Sequence, residues 1–375
     1  MKRLNQENVQ ARMRDQGLTL RALAQQLEVS PEAVSKWFRD ESFPRPALLL
    51  KLSKVLSLSF PEIILDDTVP VGQFAFRTNK NHEITIARAG KAEDMMASLS
   101  SLAALMSFDS NFSPATLASP RNDYTYLQNV VGELRRAMGM SQTSPTREAD
   151  IIAHFKKYST VFVPVLWGKK GDNALHVSLT GSPVHFIYLN LQKSVADFKY
   201  WLLHELAHIL TPQLMGEEGE SFAEAFAGSF LYTRELAEPL HARLEKLDDL
   251  QTRINEIVGE ASAHMISPIT VLQQVNAFAA FAGKSTFDIN IFPVNTNYMK
   301  TVKLVSDVLF EEDSPTVDKY IDVTSACFGS DFWDALSTWI GKQRITPGVV
   351  QRILDIPMSD AKGVFEKLAP QKNPS

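Results

Sequence analysis

Residues 198–210 read Phe-Lys-Tyr-Trp-Leu-Leu-His-Glu-Leu-Ala-His-Ile-Leu, and the parsing of the whole chain turns on this stretch. His204 and His208 are four apart, so on a helix their imidazoles leave one face a turn apart and can reach the same tetrahedral metal ion. Glu205, beside the first histidine, would aim its carboxylate at a water on that ion and act as general base. Trp201, Leu202, Leu206 and Ile209 supply the apolar contacts that hold such a helix in a core. A pattern of five residues also arises by chance, and a solvated polar stripe is the bland alternative. The apolar setting of two histidines and a glutamate favours the metal reading, with Zn2+ as the cofactor.

Zinc that does chemistry needs a third protein ligand and an open fourth position. Beyond His208 the short loop Thr211–Gly216 leads into a helix with Ala223, Phe226, Ala227, Phe230 and Leu231 on its inner side. Glu220 and Glu224 share the polar edge of that helix. Glu220 is the first choice as third ligand, and Glu224 is either the alternative ligand or a partner that orients one. Glu217 and Glu218 read better as acids favoured by the start of a helix.

Upstream, the period changes from helical to alternating. Strands are expected at Thr160–Leu166, Leu175–Leu179 and Val184–Leu191, with a turn at Gly168–Asn173, so a small sheet runs directly into the metal-motif helix. The last strand is expected at a sheet edge, where it would align an extended substrate by backbone hydrogen bonds. His185, on that strand, is a candidate donor to the reacting carbonyl, although a surface histidine is the commoner case.

The N-terminal stretch Asn5–Leu65 is expected to form five short helices. Thr19 can cap one helix carrying Leu20, Leu23, Ala24 and Leu27, and Ser30-Pro31 is a capped start for the next, which buries Val34 and Trp37 or Phe38. Phe43-Pro44-Arg45-Pro46 breaks the chain before an amphipathic helix from Ala47 to Leu56. Ten Lys or Arg against six acids through Phe60 give this head a charge of +4, while the net charge of −5 leaves the remainder at −9. A basic head on an acidic body suits a head that meets phosphate.

Between them, residues 67–123 are expected to connect the domains, with extended pieces such as Val71–Arg77, a helix near Ala92–Met106 and a Ser-, Asn- and Pro-rich linker at Ser107–Asp123 exposed enough to be cut. Helices are expected at Tyr124–Met138 and Pro145–Lys157, opening a central domain over 124–235. The remainder, 236–375, reads as mostly helical. Phe287–Pro293 looks extended, and Phe332, Trp333 and Trp339 read as core rather than partner surface. The fold class is therefore mainly α with a small β-sheet. The single cysteine, Cys327, excludes an internal disulfide framework, the polar start Met1–Gln6 lacks the apolar core of a signal peptide, and no apolar run approaches the ~20 residues that span a bilayer. A cytoplasmic protein with no membrane partner is expected.

Two resemblances follow from these residues. The stretch TLRALAQQLEVSPEAVSKWFRDESFPRPALLLKLSKVLSLSFPEII, with the helix before it, resembles the Xre/Cro-type helix-turn-helix family over about 60 residues, departing from it at Glu28, where glycine is usual. The resemblance implies a helix in the major groove of double-stranded DNA with Glu32, Ser35 and Lys36 at base edges, Arg21, Arg39 and Arg45 on phosphates, and a homodimer reading paired half-sites. HELAH followed by ESFAEAFAGSFLY, and preceded by HFIYLNL and DFKYWLL, resembles the ImmA/IrrE family of zincin-like metallopeptidases over Phe155–Arg234, and loosely to a helix-turn-helix-like segment near 257–280. Here Ala207 replaces the glycine of HELGH. This resemblance implies His204 and His208 as ligands, Glu205 as base, a downstream glutamate as third ligand, and cleavage of a repressor, itself or a partner protein, that switches stress, mobile-element or defence genes. The competing expectations are a non-proteolytic repressor whose zincin domain senses a ligand, and an antitoxin-like regulator that neutralises a partner through its helical tail.

Overall fold

The computed structural model describes residues 2–39, 41–58, 63–66, 72–77, 86–106, 115–179, 182, 184–312, 315–343 and 345–370. Contacts divide the chain into two units, 1–71 and 72–375.

In the first unit, α1 (Gln6–Asp15), α2 (Leu20–Leu27), α3 (Pro31–Trp37) and α4 (Pro46–Leu56) surround one core, and the ends are closed by β1 (Lys2–Leu4) running antiparallel to β2 (Ile64–Asp66). That ribbon is an addition to the all-α expectation, and the expected fifth helix falls largely outside the described residues. Thr19 and Ser30 cap α2 and α3, each hydroxyl accepting a backbone N–H three residues on. Leu23, Ala24, Leu27, Val34, Trp37, Leu52 and Leu56 are buried together, each large one contributing about 1.5–3 kcal/mol. The small Ala24 lets α2 and α3 cross closely. At the turn, Glu28 takes the left-handed conformation, φ 57°, which costs a non-glycine residue some strain. Its side chain points away from the core and pairs with Lys51 of α4 at 2.9 Å.

The second unit opens with β3 (Gly72–Arg77) and α5 (Ile86–Ala103), followed by α6 (Tyr124–Ala137) and α7 (Glu148–Phe155). Then come β4 (Thr160–Val165), β5 (Ala174–Leu179), β6 (His185–Asn190), α8 (Val195–Leu210) and α9 (Gly216–Leu231). The sheet order is β3-β5-β6-β4, with β6 parallel to β4 and antiparallel to β5. Two expectations change here. The strand 184–191 is interior, its hydrogen bonds spent on both neighbours, so it offers no edge to a peptide; β3 and β4 are the edges. The stretch 67–123 is not merely a connector, because β3 pairs with β5 and α5 packs against C-terminal helices.

The remaining helices complete one unit with the sheet. They are α10 (Arg234–Leu244), α11 (Leu250–His264), α12 (Pro268–Phe281), α13 (Phe292–Met299), α14 (Val305–Phe310), α15 (Val317–Phe328), α16 (Asp331–Gln343), α17 (Pro347–Leu354) and α18 (Met358–Leu368). The stretch 287–293 is extended only until α13 begins at Phe292. Phe332, Trp333 and Trp339 are buried, as a core reading requires. The head's turn recurs twice: Met265 (φ 48°) and Asp355 (φ 53°) end α11 and α17 as Glu28 ends α2. In each copy an isoleucine or valine follows, and the second helix buries the residues six and nine positions beyond the turn: Val34 and Trp37, Val271 and Gln274, Ala361 and Val364. In α12 part of the face that would meet DNA is covered, since Leu272, the counterpart of Ser35, is buried and the helix packs on α9 and α10, whereas Gln273, the counterpart of Lys36, is exposed.

Buried cations hold the metal-motif helix in place. Lys199 of α8 is fully buried and donates to the carbonyls of Thr146 and His264. Arg135 of α6, also fully buried, donates to the carbonyls of Ser141, Ser144 and Phe230 and to the Thr146 hydroxyl.

Candidate metal centre and nucleic-acid interface

Ser194 caps α8, accepting the Asp197 N–H at 3.1 Å, so the helix begins three residues before its expected start and carries its histidines in its final two turns. His204 is 1% exposed and Glu205 is fully buried. α9 returns alongside α8 and brings Glu220 back to both histidines. His204 Nε2 and His208 Nε2 are 3.1 Å apart, His204 Nε2 is 3.3 Å from Glu220 Oε2, and His208 Nε2 is 3.5 Å from Glu220 Oε1.

These three distances test whether zinc fits. A tetrahedral ion with ligand bonds of about 2.0–2.1 Å has ligand atoms about 3.3 Å apart, and the observed triangle has edges of that length. The donor set, two imidazoles and a carboxylate, is one that catalytic zinc takes. The Glu220 side chain is 42% exposed, so the triangle lies at the surface of the core with solvent on the Glu220 side. Trp201 packs edge-on against the His204 ring at 5.1 Å and restricts its rotation.

Among the described residues, His204, His208 and Glu220 are the group able to hold a metal. Glu217, Glu218 and Glu224 are exposed and outside it. The charge of Glu224 acts on Tyr200, whose hydroxyl burial first and this carboxylate second push above the ordinary tyrosine range. The short separation between His208 and Glu220 suffices because Thr211–Met215 folds tightly: Thr211 Oγ1 donates to the Ala207 carbonyl and the Leu214 N–H to the Thr211 carbonyl.

One neighbour was not anticipated from the sequence. His176 of β5 places Nδ1 3.2 Å from Glu205 Oε2. Its Nε2 lies 3.0 Å from His185 Nδ1, and the Ser178 hydroxyl is 3.2 Å from each. His185 therefore faces His176 rather than lying on an open surface, and burial, reinforced by the neighbouring imidazole, lowers it to about 4. His176 and Ser178 alternate along β5, and Ser178 is the register partner of His185, so all three share one face of the sheet.

The segment expected as a cleavable linker is described from residue 115, and its part 107–114 lies outside the described residues. Leu117 donates its N–H to the Leu210 carbonyl at the end of α8, and Asn122 bonds Ser221 at the start of α9.

In the head, Arg21, Glu32, Lys36, Arg39 and Arg45 are exposed and Ser35 is half-buried. Arg21 lies close enough to help hold the Glu32 carboxyl below its ordinary range, behind the stronger effects of the Glu32 backbone N–H and Ser30. Arg39 pairs with Glu41 at 3.2 Å. A family model described as Helix-turn-helix matches residues 9–63, and comparisons with curated proteins and with solved structures find no match to the chain. Residues 9–63 form a helix-turn-helix domain of the kind that binds DNA in transcription regulators. No described helix is long and apolar enough to cross a membrane.

Proposed function

We propose that this DNA-binding regulator is also a zinc-dependent endopeptidase that cuts a repressor, a partner protein or a second copy of this chain, and so switches the genes its head controls. The observation that carries the reading is the His204–His208–Glu220 triangle with a fully buried carboxylate, Glu205, on the same helix. A purely structural zinc site has no use for that carboxylate. Bound zinc supplies a Lewis acid that polarises a peptide carbonyl and acidifies water.

The chain's own residues do the rest. Glu205 takes the proton from the attacking water and delivers it to the departing amine, so the C–N bond breaks with a carboxyl and an amine as products. Its exclusion from bulk solvent keeps that proton transfer local. Trp201 and the buried body of α8 fix both imidazoles, so little rearrangement accompanies reaction. Fusion to a helix-turn-helix head places the peptidase beside operator-bound protein, and a homodimer on paired half-sites would place a second copy of the chain within reach.

Purified wild type and Glu205→Gln, each loaded with zinc, are incubated with a lysate of the source cell, and new protein N-termini are labelled and identified by mass spectrometry. One or a few sites cut by wild type alone support the reading. Identical N-termini from both proteins contradict it.

A further inference from the structure

Glu205 can serve as a base only if its carboxylate is aimed, and a side chain from outside the zinc motif stands against it. From the sheet, His176 Nδ1 stands 3.2 Å from Glu205 Oε2. A carboxylate only accepts, so this contact is favourable when Nδ1 carries the proton. A neutral His176 then has its lone pair on Nε2, and Nε2 needs a donor. Two groups able to donate stand there, the Ser178 hydroxyl at 3.2 Å and His185 Nδ1, in the tautomer that protonates it, at 3.0 Å. His185 remains neutral near pH 7 because burial depresses it, so it can supply one N–H without adding a charge beside His176.

We propose that His176 is a positioning residue for Glu205: its Nδ1–H fixes the carboxylate, and His185 with Ser178 fixes the tautomer and tilt of His176. The inference rests on the peptidase reading for its purpose, but the arrangement itself is a property of the folded chain. It resembles in logic the partners that orient metal ligands from outside, whose removal costs about 10–100-fold, except that here the oriented group is the base. It also explains why two histidines and a serine lie on one face of β5 and β6, strands that otherwise bury mostly apolar residues: the register brings Ser178 opposite His185, with His176 the diagonal neighbour of His185 and two residues before Ser178 on β5.

The test separates the arrangement from the peptidase reading. Full-length protein labelled with 15N-histidine is examined by long-range proton–nitrogen NMR, with the His176 signals assigned by their loss in His176→Asn. We expect wild-type His176 to carry its proton on Nδ1 and Glu205→Leu to move it to Nε2. In parallel, zinc content and the rate of new N-termini in a proteome-derived peptide library are measured for wild type, His176→Leu, His176→Asn and Glu205→Gln. The expected result is full zinc in all four, a rate about 10–100-fold lower in His176→Leu, and recovery of part of that loss in His176→Asn, whose amide N–H stands near the position of Nδ1. An Nε2-protonated His176 in wild type overturns the proposal, as does an undiminished rate in His176→Leu. If wild type and Glu205→Gln cleave the library equally, the peptidase reading falls, while the tautomer still decides whether His176 holds Glu205.

Discussion

Lys199 Nζ donates to the His264 carbonyl at 2.7 Å, so the helix carrying His204 and His208 is pinned to the end of α11 by a cation with no exposed surface. The same ammonium reaches the Thr146 carbonyl at 3.1 Å, and burial lowers Lys199 to about 8. A lysine is tolerated here because both carbonyls lie where helices cannot satisfy them internally. Lys199→Met keeps the apolar stem and deletes the donors, leaving two buried acceptors unpaired. Urea unfolding should show a loss of roughly 2–4 kcal/mol; a change below about 0.5 kcal/mol would mean that water satisfies those carbonyls.

Gly219 sits where α9 closes over the loop from α8, and a Cβ there would stand 2.8 Å from the Leu214 carbonyl oxygen. That contact is with backbone, so the start of α9 has to move, and Glu220 moves with it. Gly219→Ala should weaken zinc binding by roughly tenfold, in the range seen for groups that orient ligands, with little change in far-UV circular dichroism. Competition against a chelating dye measures it, and unaltered affinity would show that the loop adjusts without displacing Glu220.

The DNA-binding head makes two kinds of contact that mutation should separate. Arg21→Ala and Arg45→Ala remove exposed charges expected on phosphates, so affinity for selected and random duplexes should fall in parallel and the salt slope should shrink by about 1. Lys36→Ala, on the outward face of α3, should weaken the selected site more than random DNA. Fluorescence anisotropy across a salt series decides. Equal losses on both duplexes for Lys36→Ala would place that residue on the backbone instead.

Acid should destabilise the second unit through buried histidines. Burial, aided by Lys157, depresses His154 to about 4, and its Nε2 lies 3.1 Å from the Tyr158 hydroxyl. Between the unfolded value of about 6.5 and 4, the unfolded chain binds the proton that the folded chain refuses, so stability falls as pH drops through that window. His185 acts in the same direction. The urea midpoint should therefore decline from pH 6.5 to 4, and more gently in His154→Gln than in wild type.

The features readable from sequence were those set by local spacing. Thr19, Ser30-Pro31 and the apolar period of Leu23, Ala24 and Leu27 define the head's turn because caps and helical faces are written within a few residues of one another. His204, Glu205 and His208 were readable for the same reason. Choosing Glu220 over Glu224 required the crossing of α8 with α9, since spacing within α9 places both acids on one edge. Strand order was hidden more completely. β4 pairs in parallel with β6, with β5 between them in the sequence, which makes the strand at 184–191 interior rather than an edge, and β3 pairs with β5 about a hundred residues later; no local signal records either pairing. His176 was invisible because one histidine in an alternating strand carries no mark of the helix it will face.

The most direct measurement is metal content by mass spectrometry on untagged protein purified without added metal, for wild type, His208→Ala, Glu220→Ala and Glu224→Ala. About one zinc per chain is expected in wild type and in Glu224→Ala, and its loss in His208→Ala and Glu220→Ala. A wild-type protein that holds no zinc even after reconstitution, or a Glu220→Ala variant that keeps its full content, would contradict it.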